Sequence, residues 1–164
     1  MFPDEINARA QNVIEVYTAK KLTLALAESC TGGLISAALI NVPGASNVVD
    51  RGMVTYANAA KMELLGVPSE TLDTVGAVSE ETARAMAEGA VAYDGIDASV
   101  AVTGIAGPGG GTAEKPVGLV HIAAALSGRP TQHQECRFGE IGRDEVRIAT
   151  VIAALDMLID LVDE

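Results

Sequence analysis

The chain has 164 residues, a formal net charge of −11, 49% hydrophobic residues and only 3% aromatic ones. That is enough for one domain with a core of Ala, Val, Ile and Leu. The charge excludes a nonspecific nucleic-acid surface, which needs clustered Lys and Arg, and it excludes adhesion to an anionic membrane. No apolar run reaches the length of a membrane span, and Met1–Glu5 lacks a basic n-region, so no signal peptide is expected. Cys30 and Cys136 make neither a disulfide framework nor a metal-ligand spacing. A reducing, cytoplasmic setting is expected.

Strand and helix patterns alternate along the chain. Asp4 is placed to cap a first helix to about Lys20, with Ile6, Ala10, Val13, Ile14 and Tyr17 on one face. Leu22–Ala27 reads as a strand and Leu34–Ile40 as a helix, with Glu28-Ser29-Cys30-Thr31-Gly32-Gly33 between them. Pro43–Ser46 is a turn. Val48–Tyr56 reads as a second strand in which Gly52 marks a bulge. Asn58 caps a short helix ending at Gly66, with Pro68 beyond. A turn near Ser69–Thr74 leads to a helix opened by Ser79-Glu80-Glu81 and burying Ala83, Met86, Ala87, Ala90 and Val91.

Ala98–Val102 is a short apolar strand. Val117–Leu126 and Gln132–Phe138 follow as strands joined by a hairpin turn at Ser127–Pro130. The last helix runs from near Ile141 to about Val162. It carries two apolar faces, Ala149/Ala153/Met157/Leu161 and Ile148/Ile152/Leu155/Ile159/Val162. These exceed what one sheet face covers and predict a homo-oligomer, most simply a dimer. No repeat or linker interrupts the pattern. The expected fold is α/β: a three-layer α/β/α sandwich with a mixed, mostly parallel sheet, as one domain over residues 1–164.

Thr103-Gly104-Ile105-Ala106-Gly107-Pro108-Gly109-Gly110-Gly111-Thr112 holds five of the 17 glycines. Glycine is kept where backbone takes positive φ or approaches something closely. Exposed N–H groups in such a loop hold an anion, a phosphate or an oxyanion. The spacing matches neither the P-loop nor the dinucleotide fingerprint, so the pattern alone gives an anion or small-molecule loop, against the alternative of a flexible surface loop. Thr103 sits at a strand end, where open α/β sheets place their chemistry.

Ser29, Cys30 and Thr31 lie between a strand and a helix. One of the hydroxyls is expected to cap, and Ser29 is a nucleophile if a base lies nearby. Glu28 reads as an exposed acid or as a group orienting a partner. If Asn58 caps, Lys61 sits at N3, where the helix dipole disfavours a cation; it is either a solvated surface lysine or a desolvated base toward Ser29. Tyr56 either stacks on a ligand or lies at the rim of the core. Arg143 and Arg147 either flank a bound anion or pair locally with Asp144 or Glu140. Lys115 is placed to close over a phosphate. His121 and His133 read as sheet residues rather than metal ligands.

Four ordered segments, Glu28–Gly33, Tyr56-x-Asn58-x-x-Lys61, Gly76-Ala77-Val78-Ser79-Glu80-Glu81 and Thr103–Gly110, together resemble the CinA C-terminal domain family. Its members are also called competence/damage-inducible proteins, and many are nicotinamide mononucleotide amidohydrolases. The similarity runs from about Leu22 to the C-terminus. The resemblance implies an amidohydrolase of pyridine-nucleotide salvage that converts nicotinamide mononucleotide to nicotinic acid mononucleotide and ammonia, with no metal and no cofactor. It places Ser29, Lys61 and Thr103 as catalytic residues. Thr31, Gly32, Tyr56, Gly104, Gly107, Gly109, Gly110 and Arg143 would bind the nucleotide. On this expectation Ser29 attacks the carboxamide or positions a water, Lys61 takes the proton, and Thr103 or loop N–H groups hold the oxyanion. The alternative is a catalytically silent nucleotide-binding or regulatory module; both require the glycine loop, and only the enzyme requires Ser29 and Lys61 to meet.

Overall fold

Leu24–Glu28 (β1) is buried at every position, as expected of a strand covered on both faces. A computed structural model describes residues 1–163. The elements are α1 (Asp4–Lys20), β1, α2 (Leu34–Ile40), β2 (Val49–Val54), α3 (Asn58–Leu65), α4 (Ser69–Thr74), α5 (Glu80–Val91), β3 (Ala98–Gly104), β4 (Leu119–Leu126), β5 (Gln132–Arg137) and α6 (Arg143–Val162). The sheet order is β2-β1-β3-β4-β5. β1 pairs parallel with β2 and β3, while β4 is antiparallel to both β3 and β5, so four of five strands share one direction. This is the expected mixed, mostly parallel sheet between helical layers.

The two faces of the sheet differ in side-chain size. Leu24, Leu26, Val100, Val102, Val120 and Ile122 face the layer of α1, α2 and α6. Ala25, Ala27, Ala101, Ala123 and Ala125 face α5. Alanine on both strand and helix (Ala83, Ala87 and Ala90) lets α5 lie close to the sheet. α5 also lies close to the end of α3: a Cβ added at Gly89 would stand 1.9 Å from the Leu65 carbonyl oxygen. None of the helices among the described residues is long and apolar enough to cross a membrane.

Several expectations are corrected. Pro3 and Ala57, not Asp4 and Asn58, hold the N-cap positions of α1 and α3, and neither end has a side-chain cap. Lys61 is therefore the fourth residue of α3 rather than N3. The segment Ser69–Thr74 is a short helix rather than a turn. The register irregularity of β2 lies near Asp50, between the Leu24–Val49 and Ala25–Arg51 pairs. Gly52 stays in register with Leu26; a side chain there would strike the Ser36 hydroxyl at 2.3 Å. Most of both apolar faces of α6 are covered within one chain. Leu155, Met157, Leu158, Leu161 and Val162 are buried, and Ile148, Ile152, Ala153 and Ile159 pack partly buried on the same core. The second cover that the sequence did not reveal is α1: the Tyr17 hydroxyl donates to the Leu158 carbonyl at 2.9 Å.

Candidate functional site

Three parallel strands, β2, β1 and β3, end side by side. Just past their ends the Thr55 N–H donates to the Glu28 carbonyl at 2.8 Å and the Ser29 N–H to the Val102 carbonyl at 3.1 Å. This pairing sets Thr55, Ser29 and Thr103 in a row at the carboxyl edge of the sheet, and all three are buried. Such an edge is where open α/β sheets collect ligands.

The Ser29 turn is built on Glu28, which is fully buried and not the exposed acid expected. One carboxylate oxygen accepts from the Thr31 hydroxyl at 2.5 Å and from the Gly33 and Ile35 N–H groups at 3.1 Å each. The other accepts from the Ser36 N–H and hydroxyl, both at 2.8 Å. A carboxylate therefore meets the open N–H groups of α2, a task expected of Ser29 or Thr31. Gly32 and Gly33 take positive φ, 58° and 98°, which brings the chain round the carboxylate. Thr31 is fully buried and committed to Glu28.

Ser29 and Lys61 do meet. Lys61 is 1% exposed, so the surface-lysine alternative fails. Its Nζ donates to the Thr55 carbonyl at 2.6 Å, the Ser29 Oγ at 3.0 Å and the Tyr56 carbonyl at 3.2 Å. Three acceptors match the three hydrogens of an ammonium. Burial pulls its pKa below the usual lysine value. Beside it the Thr55 hydroxyl oxygen is buried without a hydrogen-bond partner among the described residues. Cys30 is buried, and burial pushes its thiol up to about 11. Tyr56 is 66% exposed.

The Thr103 hydroxyl donates to the Ala77 carbonyl at 2.8 Å. The Gly76–Glu81 motif thereby gains a structural account. Ser79 caps α5 by accepting from the Thr82 N–H at 3.1 Å, and the Ser79 and Thr82 hydroxyls both donate to the Gly76 carbonyl. Lys115 reaches the Val75 carbonyl on the same segment rather than closing over an anion.

Within the glycine loop the residues divide. A Cβ at Gly104 would stand 2.6 Å from Val120, and one at Gly107 would stand 2.5 Å from Val117, so both are needed for packing against the start of β4. Gly109 and Gly110 have no such crowding. A cavity of about 290 Å³ beside the loop is lined by Ala106, Pro108, Val117, Glu140, Gly142 and Arg143. Neither arginine pairs with Asp144 or Glu140. Arg143 donates to the Gly107 carbonyl at 2.8 Å, and Arg147 donates to the Cys30 and Thr31 carbonyls at 3.0 and 3.2 Å. The first two turns of α6 thus brace both loops. Thr55 was missed as a site residue, while Glu28 organises the Ser29 turn and Arg147 braces its carbonyls. For Glu28 the usable signal is an acid closing an apolar strand just before a Gly-Gly-opened helix. Among the described residues no group of three or more His, Cys, Asp or Glu is placed to hold a metal ion.

Residues 6–162 match the family model of the CinA C-terminal domain. A putative competence-damage inducible protein of Acetivibrio thermocellus is 56% identical over 137 residues, 84% of this chain and 33% of that protein. A CinA-like protein of Syntrophus aciditrophicus is 53% identical over 148 residues, 89% of this chain and 34% of its own length. The chain thus spans about a third of these curated relatives. The crystal structure of the competence/damage inducible protein CihA from Agrobacterium tumefaciens superposes with a TM-score of 0.96 at 55% identity, covering 98% of both chains. An Escherichia coli protein of the CinA superfamily gives 0.91 at 32% identity, covering 99% of this chain and 94% of that one.

The expected amidohydrolase is corrected here, and with it the enzyme class and the role in pyridine-nucleotide salvage. What matches is a C-terminal module lying within proteins about three times its length. Besides Ser29, the Lys61 Nζ donates to the Thr55 and Tyr56 carbonyls, and Thr103 gives its hydroxyl proton to Ala77.

Proposed function

The chain belongs to the CinA C-terminal domain family, and from that premise we propose that it is a catalytically silent nucleotide-binding or regulatory module, one domain over residues 1–164. The observation that carries this reading is the uncrowded Gly109–Gly110 turn of the glycine loop beside a cavity of about 290 Å³ that Arg143 lines. Lys61, held by the Thr55 and Tyr56 carbonyls and Ser29, adds a polar centre at the strand ends. Ser29 and Thr103 offer hydroxyl oxygens to a ligand there, and the exposed Tyr56 ring offers a stacking face. Gly109 and Gly110 supply backbone N–H groups, and Arg143 a guanidinium, to a phosphate. Gly104 and Gly107 shape the loop, and Thr31 and Gly32 shape the Ser29 turn. A homo-oligomer, a dimer in the simplest case, belongs to the same reading; its support is the half-buried Ile148, Ile152 and Ile159 on α6 and the exposed Ile141.

Calorimetric titration with nicotinamide mononucleotide and with its phosphate-free riboside tests the reading. Arg143→Ala should weaken the mononucleotide by about 10- to 100-fold and the riboside far less, because a charged hydrogen bond contributes roughly 1.5–3 kcal/mol. No binding of either compound, or equal weakening of both by the substitution, counts against the assignment. Sustained ammonia release from the mononucleotide would overturn the absence of turnover.

A further inference from the structure

On the α5 side of the β4–β5 hairpin, away from Ser29 and Lys61, two histidines meet. His121 Nδ1 and His133 Nε2 are 2.9 Å apart. The ring centroids are 5.2 Å apart and the planes are inclined by only 21°. With so short a nitrogen contact, this places the two nitrogens between the centroids, so the rings join edge to edge. The outer nitrogens each face a carboxylate: His133 Nδ1 lies 3.6 Å from Glu80, and His121 Nε2 lies 3.9 Å from Glu135. The four groups form a row, Glu80–His133–His121–Glu135, running from the first residue of α5 to β5.

Proton counting distinguishes the states of this row. Two neutral imidazoles carry two N–H groups over four nitrogens. One is needed between the rings, so one outer nitrogen turns a lone pair toward a carboxylate. Three N–H groups suit the row: one hydrogen-bonded between the rings and one facing each carboxylate at ion-pair distance. A fourth sets two N–H groups against each other at 2.9 Å. The favoured state therefore holds one proton more than two neutral rings, and the next proton is refused.

We propose that this row is a single-proton clamp between the hairpin and the start of α5, and that it makes the seat of Thr103 sensitive to pH. The connection is short. Glu80 follows Ser79, the cap of α5, and Ser79 and Thr82 hold the Gly76 carbonyl. The next carbonyl, of Ala77, takes the Thr103 hydroxyl. Burial, and after it the neighbouring His133, pull the His121 pKa down. The other charges near the row are Glu81 and Arg84 on α5, Arg137 on β5, and Glu114 and Lys115 in the preceding loop. Arg84 pairs with Glu80 at 2.9 Å and Arg137 with Glu135 at 3.2 Å, and Lys115 disfavours charge on His121. The clamp rests on the binding reading only where it touches ligand affinity.

The test is a nitrogen-15 NMR titration of the intact chain from about pH 8 to about pH 5, the range in which histidine titrates. The two rings should take up one proton between them, with coupled shifts. The amides of Gly76, Ala77, Ser79 and Thr103 should move with that step. In His133→Gln, His121 should titrate alone and those amides should lose the step. Two independent one-proton curves, two neutral rings throughout, or amides that ignore the titration would each overturn the clamp. Nicotinamide mononucleotide added at both ends of the range separates the two readings. Failure to bind at either pH sinks the nucleotide assignment and leaves the clamp standing, whereas equal affinity at both ends confines the clamp to the fold.

Discussion

Glu28→Gln tests whether a buried carboxylate, rather than a hydroxyl, organises the Ser29 turn. The wild-type carboxylate accepts five hydrogen bonds, three from backbone N–H groups and two from hydroxyls. Glutamine keeps the shape but replaces one oxygen by an NH₂ group. If the NH₂ takes the side of Gly33 and Ile35, two backbone donors face another donor. If it takes the side of Ser36, only one does, and the Ser36 hydroxyl can rotate to accept. The second orientation is cheaper. It leaves one buried N–H without a partner, at about 1–3 kcal/mol, and weakens the remaining bonds by removing the charge. The expected loss is about 2–4 kcal/mol, a large part of the stability of a domain this size. Urea denaturation should show a lower midpoint with an unchanged slope. A midpoint within error of wild type would mean that the carboxylate does not hold α2 and that the turn is stable for another reason.

Three further outcomes follow from the packing and the ionisation. Cys30, with its thiol pushed up to about 11, should resist iodoacetamide in the native fold at neutral pH and react once the chain is unfolded; stoichiometric labelling within minutes would contradict its burial. Gly89→Ala should cost roughly 1–3 kcal/mol in a thermal or urea melt, because the added methyl has no room beside the Leu65 carbonyl; a neutral result would show that α3 and α5 separate freely. Stability should fall as pH drops below about 6.5, the ordinary value from which His121 is lowered. There the unfolded chain takes a proton that folded His121 refuses, giving a slope of at most about 1.4 kcal/mol per pH unit; a flat profile between pH values of about 7 and 5 would remove that term.

Local pattern was a good guide to the elements and a poor one to their partners. The bounds of α2 were readable in full, because an apolar run lay between two glycines and an Asn-Val-Pro turn. The layer order followed from βα alternation and one hairpin. The Ser29–Lys61 contact was legible as a question, since helix energetics gave no reason for that lysine. Glu28 was misread because its partners are N–H groups, which have no signature in the sequence. Arg143 and Arg147 were misjudged for a related reason: they reach carbonyls more than thirty and more than a hundred residues away, not neighbouring acids. The histidine pair needed the register of β4 and β5, in which His121 opposes Glu135 and His133 opposes Ala123. Counting outward from Ser127–Pro130 pairs Ala124 with His133 and would have put the two rings on opposite faces.

The bracing of both loops by α6 has a consequence for the order of synthesis. All five strands leave the ribosome before Arg143 and Arg147 do. Until α6 follows, the Ser29 turn and the glycine loop lack the two guanidiniums that tie them down, and the sheet lacks the α6 part of its core. A chain cut short after β5 would lose the braces of the site and one cover of the sheet together.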